Sequence, residues 1–209
     1  MNNNIVLNGH TIDLRLPTNE DVINGDWVYW YNNTEITKYN NHGRYPINKD
    51  AELEFVKNEI ANPNSIFLSI VDKKNNNLLG NICVQNIDLI NRHCNLAITL
   101  SNKGSLTAGL EAMGLMTNHA FMRLNIKRIE DSTHESLETF VRMLALLGYK
   151  EEGRGKYSFL KDNKWASKIM FSVIDEDYFR ILDKRSGFIL FEKYEDLLFS
   201  FKKIIKKQI

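Results

Sequence analysis

The 209-residue sequence predicts an α+β fold, a mixed, mostly antiparallel sheet flanked by helices. Three observations lead to this prediction. Short segments of β-strand character, several with the two-residue period of strands, recur along the chain. Three of these strands follow one another with short connections, the pattern of an antiparallel meander. Elsewhere strands alternate with amphipathic helices, and two strands joined by such a helix are usually parallel neighbours.

Composition is that of an ordinary globular protein, with 43% apolar residues, 25% charged residues and a net charge of +1. A chain of this length can bury most of the apolar surface of its unfolded form. The near-zero charge gives no basic footprint for nucleic acid. No apolar run approaches 18 residues, and the N-terminus is unlike a secretory signal. We therefore expect a cytoplasmic protein without a nucleic-acid or membrane partner.

Two cysteines, Cys83 and Cys94, are too few for a disulfide framework and have no partners at zinc-ligand spacing. We interpret both as buried or half-buried thiols. We therefore expect no bound metal.

The amino-terminal half begins with His10 to Leu16, whose alternating pattern predicts a strand. Thr18 then supplies an N-cap for a short helix. An aromatic-rich stretch, Trp27 to Tyr31, follows. The segment Lys38 to Pro46 has turn residues without a period and is predicted as a loop. From Asp50 to Ile60, apolar residues recur on one helical face.

The centre of the chain contains the predicted meander and the longest helix. The three strands of the meander are Ile66 to Val71, Leu79 to Gln85 and Asn95 to Leu100. The helix extends from about Leu106 to Leu124, and the short strand after it covers Ile126 to Asp131. We expect the strands on either side of this helix to be parallel.

The last predicted elements of the domain are a helix and two strands. The helix covers Ser136 to Leu147, and Gly148 ends it. The strands cover about Tyr149 to Leu160 and Trp165 to Ile174, joined by a turn at residues 161–163.

We predict one domain over residues 1–180 and a carboxy-terminal extension over residues 181–209. In the extension, Gly187 to Phe191 is predicted as a short strand and Tyr194 to Lys207 as an amphipathic helix. Such a helix packs on its own domain or on a second copy, which would form a homodimer. Binding to a membrane surface is the weaker alternative.

Several segments resemble one family in the same order along the chain. They are Trp30 to Asn33, Lys38 to Gly43, Gly80 to Ile82 with Gln85, Gly109 to Ala112, Leu124 to Ile129, and Leu147 to Gly153. Together they resemble the GCN5-related N-acetyltransferase (GNAT) superfamily, in the branch that contains ribosomal-protein and amino-sugar acetyltransferases. The similarity covers roughly residues 10 to 178. It implies the acyl-CoA N-acyltransferase fold, with no metal and no covalent intermediate.

The resemblance implies acetyl-CoA as co-substrate and assigns it a site. A diphosphate is bound well by backbone N–H groups at a helix N-terminus, here the loop before the long helix. The preceding strand would offer its main chain to the pantetheine arm. The candidate cofactor-binding residues are Ile98, Thr99, Leu100, Lys103, Gly104, Ser105, Thr107, Ala108 and Gly109.

The sequence departs from the family pattern at five positions. Gly104 replaces the leading Gln or Arg of the diphosphate motif, and Thr107 replaces its first glycine. A β-branched residue is unfavourable where the backbone should approach phosphate closely. The family's acidic residue on the central strand maps to Asn95, its helix asparagine to Leu137 and its tyrosine acid to Leu144. Three polar site positions of the family therefore hold residues here that cannot do acid–base work.

The candidate catalytic residues are His42, His134 and Glu135. A loop histidine can act as a base or hold a substrate phosphate together with its neighbour Arg44. A surface histidine in an Asn-rich loop is the alternative for His42. Capping of the next helix explains His134 and Glu135 equally well.

The candidate substrate-binding residues are Tyr39, Asn41, Arg44, Gln85, Asn86 and Asp88. The last three end a strand and suit sugar hydroxyls, although strand-end turn residues look the same. The resulting expectation is an N-acetyltransferase that transfers acetyl to a primary amine, of an amino sugar or a nucleotide-linked amino sugar. A non-catalytic binding or interaction protein on the same fold is the alternative.

Overall fold

The computed structural model describes residues 4–206, apart from the side chains at positions 194, 198, 201, 205 and 206. It contains a mixed, mostly antiparallel sheet of eight strands with flanking helices, which confirms the predicted fold class. The chain divides into two compact units. Unit 1 comprises the described residues up to Ile87 together with Leu96–Met113. Unit 2 comprises Asp88–Asn95 and the described residues from Gly114 onward.

Unit 1 contains the first half of the sheet and the start of the long helix. Its strands are β1 (Ile5–Asn8), β2 (Ile12–Arg15), β3 (Ile66–Asp72), β4 (Leu78–Asp88) and the second part of β5 (His93–Leu100). Strands β1 to β4 are each antiparallel to the next. Its helices are α1 (Asn19–Ile23), α2 (Trp27–Asn32), α3 (Thr34–Thr37), α4 (Lys49–Ala61) and the first turns of α5 (Leu106–Arg123).

Unit 2 contains the rest of β5 and α5 and the remaining elements. These are β6 (Arg128–His134), α6 (Glu138–Leu144), β7 (Lys150–Lys161), β8 (Lys164–Ile174), α7 (Asp175–Lys184) and α8 (Tyr194–Lys206). The strand order is β5-β6-β8-β7. As predicted for strands joined by a helix, β5 and β6 are parallel, while β6, β8 and β7 pair antiparallel.

The start of α1 shows how the predicted N-cap is built into the core. Thr18 and Asp21 form a capping box. The buried Asp21 carboxylate also accepts two hydrogen bonds from Arg15, at 2.6 and 2.7 Å, and one from Ser69 at 3.1 Å. Burial alone would raise the pKa of Asp21, but the donors from Arg15 and Thr18 lower it. This helix end is therefore tied to both β2 and β3.

Aromatic side chains form the core between α2, α4 and β3. Trp27, Trp30 and Tyr31 are almost fully buried and pack with Phe67. Trp27 donates its indole N–H to the buried Glu52 carboxylate at 2.7 Å. The aromatic-rich stretch is therefore a core helix.

Close backbone approach explains Gly80. A Cβ at Gly80 would lie 2.2 Å from the Thr99 carbonyl oxygen. The backbones of β4 and β5 can therefore lie side by side here only if residue 80 has no side chain.

Several predicted boundaries were wrong, for local reasons. The segment Gly187 to Phe191 is not a strand, because Ser186 and Gly187 take φ values of 53° and 90° and turn the chain at the end of α7. The predicted strand over Ile126 to Asp131 is β6 instead, two residues later, because Asn125 at φ 55° turns the chain after α5. The predicted helix from Ser136 to Leu147 is α6 with a short 3-10 turn at each end.

Among the described residues, three elements were not predicted, β1, α3 and α7. Strand β1 has only four residues and lies among asparagines, so it gives a weak period. Other predictions are confirmed. Gly148 has φ 92° and ends the α6 segment, and Asp162 and Asn163 form the left-handed turn between β7 and β8.

The described part of the extension packs on unit 2. A Cβ at Gly114 would lie 2.8 Å from the Ile189 side chain, so α5 needs a glycine at this position. Leu197 is buried, and α8 contacts α6. The predicted last residue of this helix, Lys207, lies outside the described residues.

Candidate functional site

The N-terminus of α5, in unit 1, is built by Ser105. Its hydroxyl accepts a hydrogen bond from the Ala108 N–H at 3.1 Å, and its carbonyl accepts from the Gly109 N–H at 2.9 Å. The hydroxyls of Ser105 and Thr107 lie 2.9 Å apart. Ser105 therefore caps an 18-residue helix whose N-terminal dipole favours negative charge.

Lys103 adds a positive charge to this loop. Its ammonium lies 2.7 Å from the Asp26 carboxylate, and both side chains are about half exposed. An exposed ion pair of this kind contributes only about 0–1 kcal/mol. The ammonium can therefore exchange Asp26 for a more highly charged anion at little cost.

Packing requires two glycines here, Gly104 in the loop and Gly109 in the first turn of α5. A Cβ at Gly104 would lie 2.9 Å from the Leu79 carbonyl oxygen, and one at Gly109 would lie 2.8 Å from a Leu100 methyl. The nearest side-chain atoms to Gly109 belong to Leu100 and Ile98, so these two residues of β5 face α5. The glycines thus let the start of α5 pack closely on β5.

These residues fit a diphosphate. The helix start supplies N–H groups and a favourable dipole, Lys103 supplies an ammonium, and Ser105 and Thr107 supply hydroxyls. The side chain of Thr107 is hydrogen-bonded within this cap. A β-branched residue is therefore accommodated at the position of the first glycine of the family's diphosphate motif.

The predicted acceptor loop, Lys38 to Tyr45, is anchored through His42. The exposed His42 ring lies 4.3 Å from the ring of the buried Tyr31, centroid to centroid. The Tyr31 hydroxyl bonds to Asn81 on β4 at 2.8 Å and interacts with Thr99 on β5. Burial raises the pKa of Tyr31 to about 12, so it stays protonated.

The other predicted acceptor-side residues of unit 1 lie in the same loop or near the end of β4. Tyr39 is half-buried beneath the Lys38 ammonium, and Asn41 accepts from the exposed Arg44 at 3.4 Å. Gln85 is half-buried at the end of β4, and the exposed Asn86 has φ 53°.

Asp88 belongs to unit 2 and organises the turn after β4. Its carboxylate accepts from the N–H groups of Ile90 and Asn91 at 2.9 and 2.8 Å. These bonds from Asn91 and Ile90 lower the pKa of Asp88. The strand-end alternative therefore accounts for this residue.

His134 and Glu135 have structural contacts in unit 2. The His134 Nδ1 accepts from the Ser136 N–H at 3.0 Å, so His134 itself is the N-cap of the following 3-10 turn. Desolvation lowers the pKa of His134, which keeps this nitrogen an acceptor at neutral pH. Glu135 accepts from the Ser167 N–H of β8 at 2.8 Å. The capping alternative thus describes His134, whereas Glu135 links the turn to β8.

Sequence reasoning missed a cavity of about 280 Å³ in unit 2, lined by β5, β6, β7 and β8. Its lining residues are Asn95, Glu130, Asp131, Ser132, Glu152, Met170 and Phe171. The pairing between β5 and β6 ends at Asn95 and Glu130, and the cavity begins at this point. The Asn95 amide donates to the Glu130 carbonyl at 2.7 Å, so this residue holds the two strands together.

Asp131, one of the lining residues of this cavity, has a raised pKa. Burial raises the pKa of Asp131 to about 6, although the Ser132 N–H at 2.6 Å and the Lys168 charge both favour the ionised carboxylate. The only signal in the sequence was an acidic residue at the end of a predicted strand. Its burial depends on Phe171, which lies opposite on β8.

The two glutamates of the cavity are bound to one arginine. Arg128 contacts Glu130 at 2.8 Å and Glu152 at 2.5 Å. The donors from Arg128 and Ser172 lower the pKa of Glu152 to about 2. These carboxylates stay ionised and supply negative charge.

The two leucines that replace polar residues of the family pattern, Leu137 and Leu144, lie in different environments. Leu144 is fully buried in α6, so the family's tyrosine position is here part of the core. Leu137 is half-buried in the 3-10 turn before α6. Neither leucine side chain can act as an acid or a base.

Comparison with known proteins identifies the family. Residues 12–150 match the acetyltransferase (GNAT) domain. The chain belongs to the GNAT acetyltransferase family. It is thus an N-acetyltransferase, and GNAT acetyltransferases use acetyl-CoA. The comparison with curated protein sequences gave no significant match.

Solved structures share the GNAT fold at low identity. The spermidine N-acetyltransferase from Vibrio cholerae, in complex with CoA and spermine, is 18% identical with a TM-score of 0.72, over 81% of this chain and 98% of that chain. An acetyltransferase of the GNAT family from Bacillus anthracis is 15% identical with a TM-score of 0.67, over 81% and 98%.

Within residues 4–206, no helix has the length and apolar character that crossing a membrane requires. The same part of the chain contains no group of three or more His, Cys, Asp or Glu side chains arranged to hold a metal ion.

Proposed function

We propose that this GNAT protein transfers the acetyl group of acetyl-CoA to a primary amine of a small molecule in the cytoplasm. The observation that supports it most directly is the start of α5. There, Lys103, the Ser105 and Thr107 hydroxyls and the helix N-terminus form a site for a diphosphate. The transfer is direct, since the amine attacks the thioester carbonyl carbon and needs only positioning and loss of a proton.

Each proposed cofactor residue has a distinct task. Lys103, Ser105 and Thr107 bind the diphosphate through charge and hydroxyl groups. Gly104, Ala108 and Gly109 keep the start of the helix close to its neighbours. The main chain of β5 at Ile98, Thr99 and Leu100 pairs with the amide groups of the pantetheine arm.

We propose an amino sugar, free or nucleotide-linked, as the acceptor. The acceptor loop and the end of β4 display amide, phenol and guanidinium groups that suit hydroxyls and phosphate. They belong to Tyr39, Asn41, Arg44, Gln85 and Asn86, with His42 beside them. A polyamine is the second candidate, because Glu130 and Glu152 are among the residues that line the cavity of unit 2 and a spermidine N-acetyltransferase shares the fold.

Calorimetric titration with acetyl-CoA tests the cofactor site. Lys103→Glu should weaken binding by tenfold or more, since one charge-assisted contact contributes about 1.5–3 kcal/mol. Lys74→Glu is the matched control, because Lys74 is an exposed lysine of unit 1 in the turn after β3. Equal loss in both variants would show a general charge effect. No binding to the unaltered protein at millimolar acetyl-CoA would favour a non-catalytic binding protein on the GNAT fold.

An acceptor panel tests the reaction itself. Release of free CoA thiol would be followed with D-glucosamine, a nucleotide-linked amino sugar and spermidine. Turnover with the sugars supports our first acceptor class, and turnover with spermidine alone supports the second. Acetyl-CoA binding without turnover on any amine would contradict the proposed transfer to small molecules.

We also propose a homodimer formed through the carboxy-terminal extension. Phe199 on α8 is 71% exposed and Phe188 is 41% exposed, although Leu197 packs inward. Light scattering across a tenfold concentration range would show a mass of two chains. Phe199→Ser should shift this mass toward that of one chain. If the unaltered protein has the mass of one chain at every concentration, the dimer is contradicted.

A further inference from the structure

The hairpin of β7 and β8 in unit 2 contains an irregular stretch near its turn. Between the pairs Gly155–Lys168 and Phe159–Ala166, β7 has three residues and β8 has only one. The extra residues of β7 form a bulge. A bulge bends its strand and changes the direction in which the side chains of that strand point.

Side chains hold this bulge in one shape. The Ser158 hydroxyl donates to the Gly155 carbonyl at 2.6 Å and accepts from the Lys168 N–H at 3.1 Å, so it replaces a main-chain bond of the ladder. The N–H of Ser167, opposite the bulge, donates to the Glu135 carboxylate at 2.8 Å. The bulge is therefore a built feature of the hairpin, with hydrogen-bond partners for the β8 N–H groups beside it.

Tyr157, at the centre of the bulge, has a strained backbone. Its φ of 51° lies in the left-handed region, which is costly for a bulky residue. Burial does not offset this cost, because the side chain is 74% exposed. The conformation instead brings the Tyr157 ring beside Trp165 of β8, which is 58% exposed. The two ring centroids lie 6.1 Å apart and the rings meet at 89°. We call this pair the aromatic corner.

Positive charge surrounds the aromatic corner. From Gly155 to Lys168 the sequence contains four lysines and one aspartate, a net charge of +3, against +1 for the whole chain. The exposed Lys156 and Lys164 directly precede the two rings along the chain. Lys161 and Lys164 lie directly opposite each other at the turn. Like charges in such a pair lower the stability of a hairpin.

The strain, the exposed rings and the paired lysines all lower stability, and all of them suit one kind of ligand. Exposed aromatic faces stack with bases and ammonium groups bind phosphates, which is the combination that holds single-stranded nucleic acid. An acidic peptide would use the lysines and leave the rings unused. A lipid surface needs a continuous apolar face, but a lysine adjoins each ring. A small nucleotide needs a concave site, whereas these rings are mostly exposed.

We propose that the aromatic corner, together with Lys156 and Lys164, binds single-stranded nucleic acid, with bases on the rings and phosphates at the ammonium groups. The proposal is independent of acetyl transfer, because these residues belong to unit 2 and the diphosphate site belongs to unit 1. The near-zero net charge predicted no nucleic-acid partner because it averages over the whole chain and conceals this hairpin.

Trp165 is a natural reporter for the test. The chain has three tryptophans, and Trp27 and Trp30 are at most 1% exposed. Quenching of tryptophan fluorescence by acrylamide therefore reports on Trp165. An oligothymidylate or an oligouridylate of about eight nucleotides should lower the Trp165 emission and protect it from acrylamide, and the two arms distinguish DNA from RNA. Anisotropy of the labelled oligonucleotide gives the affinity, which should fall as salt is raised.

Variants separate the rings from the charges. Tyr157→Gly removes one ring and suits the left-handed backbone, so the hairpin should keep its stability. It should bind the oligonucleotide about tenfold more weakly. Tyr29→Ala, at an exposed tyrosine of α2, is the matched control. Lys164→Gln should reduce the slope of log affinity against log salt by about 0.7, and Lys184→Gln, at the exposed end of α7, should leave the slope unchanged.

Four outcomes would overturn the proposal. The first is no binding of either oligonucleotide at about 0.1 mM in about 50 mM salt. The second is duplex DNA bound as tightly as a single strand, because paired bases cannot stack on the rings. The third is equal loss of binding in Tyr157→Gly and Tyr29→Ala. The fourth is protection of Trp165 by phosphatidylserine vesicles or polyglutamate and by neither oligonucleotide, which would assign the hairpin to a lipid surface or an acidic protein.

Discussion

The start of α5 in unit 1 and the cavity in unit 2 are built from different kinds of polar group. The first uses main-chain N–H groups, a helix dipole and hydroxyls, with one exposed lysine. The second depends on ionisable side chains whose behaviour is set by burial and by one arginine. A backbone site tolerates sequence divergence, because the helix supplies the donors whatever its side chains are. A titratable site does not, because a single neighbour changes the pKa.

This difference explains the departures from the GNAT family pattern. At the helix start, Thr107 replaces a glycine and its hydroxyl joins the Ser105 cap, so the local geometry is kept. In unit 2, Asn95 and Leu144 cannot act as acid or base, yet Asp131 lies in the cavity beside Asn95.

The largest effect is expected where backbones touch. Gly80→Val places a side chain 2.2 Å from the Thr99 carbonyl oxygen, which would separate β4 from β5. We expect a loss of more than about 3 kcal/mol in the free energy of unfolding. Denaturant titration followed by circular dichroism measures it. Gly153→Ala in β7 is the control, because its Cβ would meet only the flexible end of Met170 at 3.3 Å. A loss in Gly80→Val no larger than that in Gly153→Ala would contradict the close approach.

A second prediction concerns the stability effect of the raised pKa. The pKa of Asp131 is raised from 3.8 to about 6 in the folded protein, so the folded state binds its proton more tightly than the unfolded state. Stability from this group is therefore present below about pH 4 and lost as the pH rises through 6. Asp131→Asn should be more stable than the unaltered protein by about 1–3 kcal/mol at pH 8 and nearly equal at pH 3.5. Thermal unfolding at both pH values tests this, and equal stability at pH 8 would mean that Asp131 is well solvated.

The smallest effect is expected at the helix start. Ser105→Ala removes the acceptor of the Ala108 N–H and should cost about 1 kcal/mol of stability. Acetyl-CoA affinity should fall by less than tenfold, since the main-chain donors remain. Ser105→Asp is the paired variant, because it keeps a cap but adds a negative charge that should weaken acetyl-CoA binding further. If Ser105→Ala abolished binding instead, side chains rather than backbone would form this site.

Local patterns in the sequence predicted most of the elements. The N-cap at Thr18, the glycine stop at Gly148 and the turn at residues 161–163 all follow from short-range preferences. Prediction failed for two segments in which the local sequence pattern did not indicate the observed structure. Strand β1 was too short to show a period, and the segment after Gly187 turns because of left-handed residues at the end of α7.

The candidate site residues are likewise divided into those that local sequence patterns predicted and those that they did not. Residues in the loop before α5 were predicted because a helix start is an anion site by its own geometry. His134 and Glu135 attracted attention as an adjacent pair, yet each bonds to a main-chain N–H. Asp131 gave no pattern, because nothing near it in the sequence indicates that Phe171 and Tyr149 would surround it.

The sequence by itself determined the order of helices and strands, the caps that bound them and, through its family motifs, the GNAT fold. These properties depend on neighbours within a few residues, where backbone preferences and hydrophobic periods act. Only the tertiary structure decided which carboxylate has a raised pKa, which glycines are required and what the extension packs against. Each of these depends on atoms contributed by distant segments, because burial, charge pairing and backbone contact exist only after the chain has folded.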